Sequence, residues 1–171
     1  MCKKILFILL IGILISSCSV WKKTMQFLGV SKPHVENNNY SIREVDQIIR
    51  SAYTYVGVPY RTGGIDAKGM DCSGLLFRIY ADQKRVIPRL SKDQAQFGLP
   101  VSIQEIQVGD WIFFATNKSN SINHSGIVSQ IKSANEVYFI HASTSKGVRE
   151  DNLYQKYWLG SFVKIIRPYK N

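Results

Sequence analysis

Cysteine is scarce in this chain: Cys2, Cys18 and Cys72 are the only three among 171 residues. No Cys-x-x-Cys and no His-x-x-x-His occurs, so the ligand spacing that structural zinc sites use is missing. Acidic residues are also few, 12 against 22 Lys and Arg, for a formal net charge of +10. Yet the basic residues form no run of five or six and carry no nucleic-acid motif, so no nucleic acid is expected as a partner. The excess suits attraction to an anionic polymer or a membrane surface instead. Long apolar runs are lacking as well. Ile5 to Ile15, interrupted only by Gly12, is eleven residues, too short to cross a bilayer as a helix. There is no internal repeat and no low-complexity segment. What is left is a chain of ordinary composition, long enough for one domain with a buried core and some appendages.

The short apolar run does suit the core of a signal peptide, because Met1 to Lys4 is basic and small residues follow. Ile15-Ser16-Ser17-Cys18 resembles a bacterial lipobox, in which the signal is cut before the cysteine and that cysteine is lipidated. The expectation is a signal peptide over 1–17, a lipid on Cys18 and a tether over 18–39; the alternative is an ordinary secretory signal with an incidental cysteine. Loss of the signal removes Lys3 and Lys4 and leaves a charge of +8. The tether contains Pro33, three consecutive asparagines and His34, with little periodicity. Ser19 after Cys18 is compatible with outer-membrane sorting in a diderm cell. The mature chain then carries one free thiol, Cys72. Exported proteins favour disulfides, and a cysteine with no partner there points to chemistry, against the alternative of a small buried hydrophobe.

The domain is expected over 40–171. Ser41-Ile42-Arg43-Glu44 forms a capping box, followed by Ile42, Val45, Ile48, Ile49, Ala52, Tyr53 and Val56 at helical spacing, with Gly57 as the stop. A turn-rich loop, Gly57 to Gly64, contains Tyr60. Asp71 then caps a second helix whose Leu75, Leu76, Ile79 and Tyr80 make one apolar stripe. This places Cys72 at a helix amino end, where free N–H groups and the dipole favour thiolate and predict alkylation below the ordinary thiol range. Gly74 costs about 1 kcal/mol of helix propensity, which makes sense if something approaches the backbone closely there. A shorter helix is predicted from Ser91 through Phe97. Four strands follow: Asp110–Phe114, nearly all apolar and so covered on both faces, then His124–Gln130, Glu136–His141 and Phe162–Arg167. Helices first and strands second predict an α+β fold.

Thiol acyl transfer needs a nucleophile, a base and a group that orients the base. Cys72, His124 and His141 fit these roles if one hairpin brings the two histidines together. A four-residue loop, Ile131 to Ala134, would set them directly opposite each other. A tight Ala134-Asn135 turn would separate them by four residues, roughly 13 Å at strand rise. The triad therefore predicts the wide loop. The alternatives are two unrelated buried histidines, or a zinc site short of ligands. Asp110 could fix a turn, and Asp71 could serve only as a cap.

Asp71-Cys72-Ser73-Gly74, His124-Ser125-Gly126-Ile127-Val128 and Phe139-Ile140-His141-Ala142-Ser143, in that order, resemble the NlpC-type cell-wall peptidases, a papain-like family. Gly57-Val58-Pro59-Tyr60 with Gly63-Gly64, Val108 to Phe114, Ser143 to Val148 and Tyr157-Trp158 add to the match. It spans about Ile42 to Arg167. The resemblance implies an α+β domain with the cysteine helix packed on an antiparallel sheet. It implies Cys72 as nucleophile, His124 as base and then acid, and His141 as the orienting residue. Tyr60 would line the site and help hold the oxyanion with the Cys72 N–H, while Asp71 and Ser73 would contact substrate. It implies peptidoglycan stem peptides or crosslinks as substrate, no cofactor and no metal. The expected protein is a monomer, held in the bacterial cell envelope through the lipid on Cys18.

Two residues depart from the family pattern. Ser125 replaces a usual aliphatic residue, expected to be a minor packing change, and Thr62 replaces a common aromatic, which could alter the pocket. Two other functions remain open at this point: a wall-binding lipoprotein without activity, and a thiol acyltransferase on a related scaffold.

Overall fold

Helix α1 (Ile42–Thr54) starts at the capping box, with Ser41 Oγ accepting from the Glu44 N–H at 3.3 Å and the Ser41 N–H reaching Glu44 Oε2 at 2.8 Å. Ile48, Ile49 and Ala52 form its buried face, whereas Ile42 at the first turn, Tyr53 and Val56 are exposed. The computed structural model describes residues 40–117 and 121–168. The expected signal peptide and tether, including Cys18 and His34, lie outside the described residues.

After α1 comes a small antiparallel pair, β1 (Ile65–Asp66) and β2 (Gly69–Met70), then α2 (Cys72–Asp82). Helix α3 (Ser91–Gln94) is a single turn, shorter than predicted, and Phe97 beyond it stacks on Trp111 at 5.7 Å. The remaining strands are β3 (Gly98–Val101), β4 (Trp111–Phe114), β5 (His124–Ser133), β6 (Glu136–Ser143), β7 (Gly147–Asn152) and β8 (Phe162–Pro168), with α4 (Lys156–Ser161) before the last. They form one antiparallel sheet in the order β3-β8-β4-β5-β6-β7.

Both faces of this sheet are covered. Trp111, Phe113, Ile127, Ile140 and Ala142 face α1 and α2, joining Ile48, Leu75, Leu76, Ile79 and Tyr80 in one core. Alternate residues Ile112, Phe114, Val128 and Phe139 point the other way, against Leu153 and Trp158. The period of two along β4 therefore serves two cores, and all four of its residues are buried. The fold is α+β with the helix bearing Cys72 laid on an antiparallel sheet, as expected.

The hairpin between β5 and β6 departs from expectation. Ser133 pairs with Glu136, so the turn is the tight Ala134-Asn135 one and not the four-residue loop. Two irregularities in β5, between Val128 and Gln130 and between Ile131 and Ser133, each give β5 one more residue than β6. Together they slide the register by two, and His141 pairs with Gly126 rather than with Val128. His124 is then one diagonal step from His141 on the same face, within reach of long side chains. The wide loop was the wrong device, and bulges do its work.

Candidate active site

The start of α2 is tightly fastened. Asp71 caps it, Oδ1 accepting from the Gly74 N–H at 2.6 Å, while Oδ2 accepts from the Gly63 N–H at 2.7 Å. Arg89 grips the same carboxylate from the far side at 3.0 and 2.8 Å, and also donates to Ser73 Oγ at 2.9 Å. Burial opposes ionisation of Asp71, but the Arg89 and backbone bonds outweigh it and hold the carboxyl below its usual range. Buried Gln94 completes the brace by donating to the carbonyls of Ser73 and Pro88. Gly74 lies so close to the loop that a Cβ there would sit 2.0 Å from the Gly64 carbonyl oxygen. The close approach inferred from the glycine is thus the preceding loop.

This brace delivers Cys72, which is almost wholly buried, to the first residues of β5. Its Sγ lies 3.9 Å from the Asn123 carbonyl oxygen, and the Ser125 N–H and side chain act on it from the next residue but one. The thiol thus meets both chain neighbours of His124. Burial pushes the Cys72 thiol up, and the Asp71 charge adds to this, against the lowering influence of Ser125 and the Ser73 N–H. The sequence predicts the opposite direction. A helix end is worth about 0.3–1 kcal/mol, less than one pKa unit, which burial of a thiolate easily exceeds. The Ser125 hydroxyl is fully buried and has no hydrogen-bond partner of normal distance and geometry among the described residues. Tyr60 is half-buried close by. Burial, and then the nearby Cys72, raise its phenol, while Thr62 bonds to it and lowers it.

Beyond the thiol, three polar side chains run diagonally across β5, β6 and β7. His124 Nε2 is 2.9 Å from His141 Nδ1, and His141 Nε2 is 2.9 Å from Asp151 Oδ2. Arg149, directly opposite His141, bonds Asp151 Oδ1. Trp158 seals this row, its ring stacked on His124 at 5.4 Å and set edge-on to His141 at 4.7 Å. Burial, assisted by His141, pushes His124 down to about 3. Burial also lowers His141, although Asp151 pulls it upward. Asp151 is opposed by burial, yet the His141 bond and the charges beside it keep its carboxyl below the usual range.

The structure therefore brings Cys72, His124, His141 and Tyr60 into one neighbourhood. Asp71 and Ser73 adjoin it, but Asp71 already accepts from Gly63, Gly74 and Arg89, with Ser73 Oγ at 3.3 Å, and Ser73 is buried beneath Arg89. Asp110 fixes a turn as expected, accepting from the Gln107 N–H, and pairs with Arg167. Sequence reasoning missed Asp151 and Arg89. Asp151 sits in Gly147–Asn152, whose charged run Arg149-Glu150-Asp151 reads as a loop. The turn-forming Ser143 to Gly147 was the available signal for a further strand. Among the described residues, no cluster of three or more His, Cys, Asp or Glu could hold a metal.

Comparison with known proteins supplies an independent line. A family profile described as the NlpC/P60 family matches residues 57–167. The probable endopeptidase NlpC of Escherichia coli K12 is 32% identical over 161 residues, covering 94% of this chain and 96% of that protein. The murein DD-endopeptidase MepS/murein LD-carboxypeptidase of the same strain is 31% identical over 132 residues, covering 77% of this chain and 66% of its own length. A crystal structure from Staphylococcus aureus Mu50, described as similar to lipoprotein and of the NLP/P60 family, superposes with a TM-score of 0.67 at 29% identity. That likeness covers 85% of this chain and 47% of the other, so the chain spans about half the length of that larger protein.

Proposed function

The chain belongs to the NlpC/P60 family, and on that premise we propose that it is a cysteine endopeptidase hydrolysing an amide bond in peptidoglycan stem peptides or their crosslinks. The observation that carries this reading is the bonded His124–His141 pair beside a buried thiol that touches Asn123 and Ser125. With Nε2 of His124 engaged by His141, Nδ1 is the nitrogen left for Cys72. As the sulfur attacks the substrate carbonyl carbon, the thiol proton passes to Nδ1. The tetrahedral oxyanion is received by the Cys72 N–H and the Tyr60 hydroxyl. The C–N bond then breaks, and His124 gives its proton to the departing amine. Water, deprotonated by His124, cleaves the thioester, and the proton returns to sulfur. A raised thiol and a depressed imidazole favour a neutral pair at rest, so proton transfer accompanies attack.

Residues 1–17 serve as a signal peptide, and a lipid on Cys18 tethers the domain to an envelope membrane through 18–39, so the enzyme works on the wall from the membrane surface. Asp71 shapes the substrate cleft by holding the loop around Gly63 and Gly64, and Ser73 supports it through their shared partner Arg89.

The test is digestion of purified peptidoglycan by the purified protein, with Cys72→Ala alongside, and mass spectrometry of the released fragments. New peptide termini with wild type alone are expected. Intact wall that retains bound protein would replace this reading with a binding role, and transfer of an acyl group to another acceptor would replace it with an acyltransferase.

A further inference from the structure

The row of side chains beyond the thiol has a direction, and one residue at its far end determines it. A neutral imidazole carries a single N–H, so its two nitrogens are one donor and one acceptor. A carboxylate only accepts. At 2.9 Å from Asp151 Oδ2, His141 Nε2 must therefore be the nitrogen that bears hydrogen. Its Nδ1 is then bare and can only accept, so His124 Nε2, 2.9 Å away, must donate. His124 Nδ1 is left bare, as a base for Cys72 requires. Were the end of the row a donor, every bond would reverse. His141 would carry hydrogen on Nδ1, His124 would accept at Nε2, and His124 Nδ1 would bear the hydrogen and be useless as a base.

We propose that Asp151 is a positioning residue that sets the tautomer of both histidines, acting on His124 through His141. This deepens the peptidase reading and rests on it for its catalytic consequence. Two features keep the direction fixed. His141 is fully buried and Arg149 lies directly opposite it, which disfavours a second proton on the ring. Arg149 also bonds Asp151 Oδ1, so Oδ2 is the oxygen turned to His141. That second bond makes the nearly isosteric Asp151→Asn informative. The guanidinium has only donors and selects the amide oxygen, which turns the NH2 group toward His141 and inverts the row.

The test uses the full chain labelled with 15N-histidine, and long-range proton–nitrogen spectra that report which ring nitrogen is bare. In wild type, Nδ1 of both histidines is expected to be bare; a bare Nε2 on His124 would overturn the proposal without any variant. In Asp151→Asn the bare nitrogen is expected to move to Nε2 in both rings, with a loss in kcat/KM of about 10²- to 10⁴-fold, as when a catalytic histidine is held in the wrong tautomer. Adding Arg149→Leu frees the amide to turn its oxygen inward and is expected to recover at least about ten-fold of that loss, corresponding to about 1.4 kcal/mol. A merely structural Asp151 predicts further damage in the double variant, and that result, or unchanged tautomers in Asp151→Asn, would overturn the proposal. The spectra need no substrate, so inverted tautomers in a protein whose wild type releases nothing from peptidoglycan would sink the peptidase reading and leave this one standing.

Discussion

Gly74→Ala separates stability from activity in this fold. The added Cβ would lie 2.0 Å from the Gly64 oxygen, and real Cβ contacts essentially never fall below 3.0 Å, so helix and loop must part by at least 1.0 Å. Neither gives way easily. Gly64 donates to Arg61 O at 2.9 Å and accepts from the Asp71 N–H at 3.3 Å, and its own Cα faces the Gly69 carbonyl. Overpacking of this kind costs about 1–3 kcal/mol, while alanine returns about 1 kcal/mol of helix propensity. The net loss is then about 0–2 kcal/mol, a drop in Tm of no more than about 8 °C for a chain of this size. With Cys72 as the proposed nucleophile two residues away, the catalytic consequence is larger, since a displacement of about 1 Å costs on the order of 100-fold in rate. Thermal melts and kcat/KM on a soluble stem peptide measure the two effects side by side. A variant within three-fold of wild-type activity would refute the close packing of loop and helix as the device that places the thiol.

Alkylation of Cys72 by a small neutral reagent should rise only above the ordinary thiol range of about 8.5, because burial raises its pKa; half-maximal reaction well below that pH would count against a neutral resting pair. Both buried histidines have lowered pKa values, His124 to about 3, so below about pH 6.5 the unfolded chain binds more protons than the folded one. Stability should fall as pH drops from about 6.5 toward 3, and a denaturant series across that window measures it. Trp158→Ala removes the ring stacked on His124; it should cost about 3–5 kcal/mol and return the His124 titration toward its ordinary value, as followed by NMR. Arg167→Met should cost about 3 kcal/mol by chemical denaturation, since it strips the buried Asp110 carboxylate of its 2.8 Å partner.

Much of this arrangement is legible in the sequence. The capping box, the Asp71 cap and the Leu75–Tyr80 stripe are local patterns, each set by residues three or four apart, and they fold as read. Strand β4 was equally plain, because four consecutive apolar side chains leave no polar face. What escaped was set by pairing between strands. Nothing in Val128–Ser133 announces two bulges, so the register of His124 against His141 could be posed only as a condition on the loop. Asp151 was hidden for a related reason: a strand of charged residues looks like a loop until its cross-strand neighbours are known. The direction of the Cys72 shift failed differently. Helix position is visible in sequence, whereas the burial that overrides it depends on tertiary packing, with the Asn123 carbonyl brought to the thiol from 51 residues away.

The two bulges carry a consequence for anyone who would rebuild this protein. They lie between the histidines and the hairpin tip, so the spacing of the pair is settled before the chain reaches Ala134-Asn135. The tip is thus a neutral joint, where a longer turn, an epitope or a fluorescent tag can be grafted with His124 and His141 kept in step. Ser129, the extra residue of the first bulge, is the opposite kind of position. Drawing it into the ladder, so that the bulge straightens, would slip the residues before it by one place and swing the His124 ring to the other side of the sheet. A hairpin with so permissive an end and so unforgiving a middle offers a handle for attaching the enzyme to a surface or a sensor without touching its chemistry.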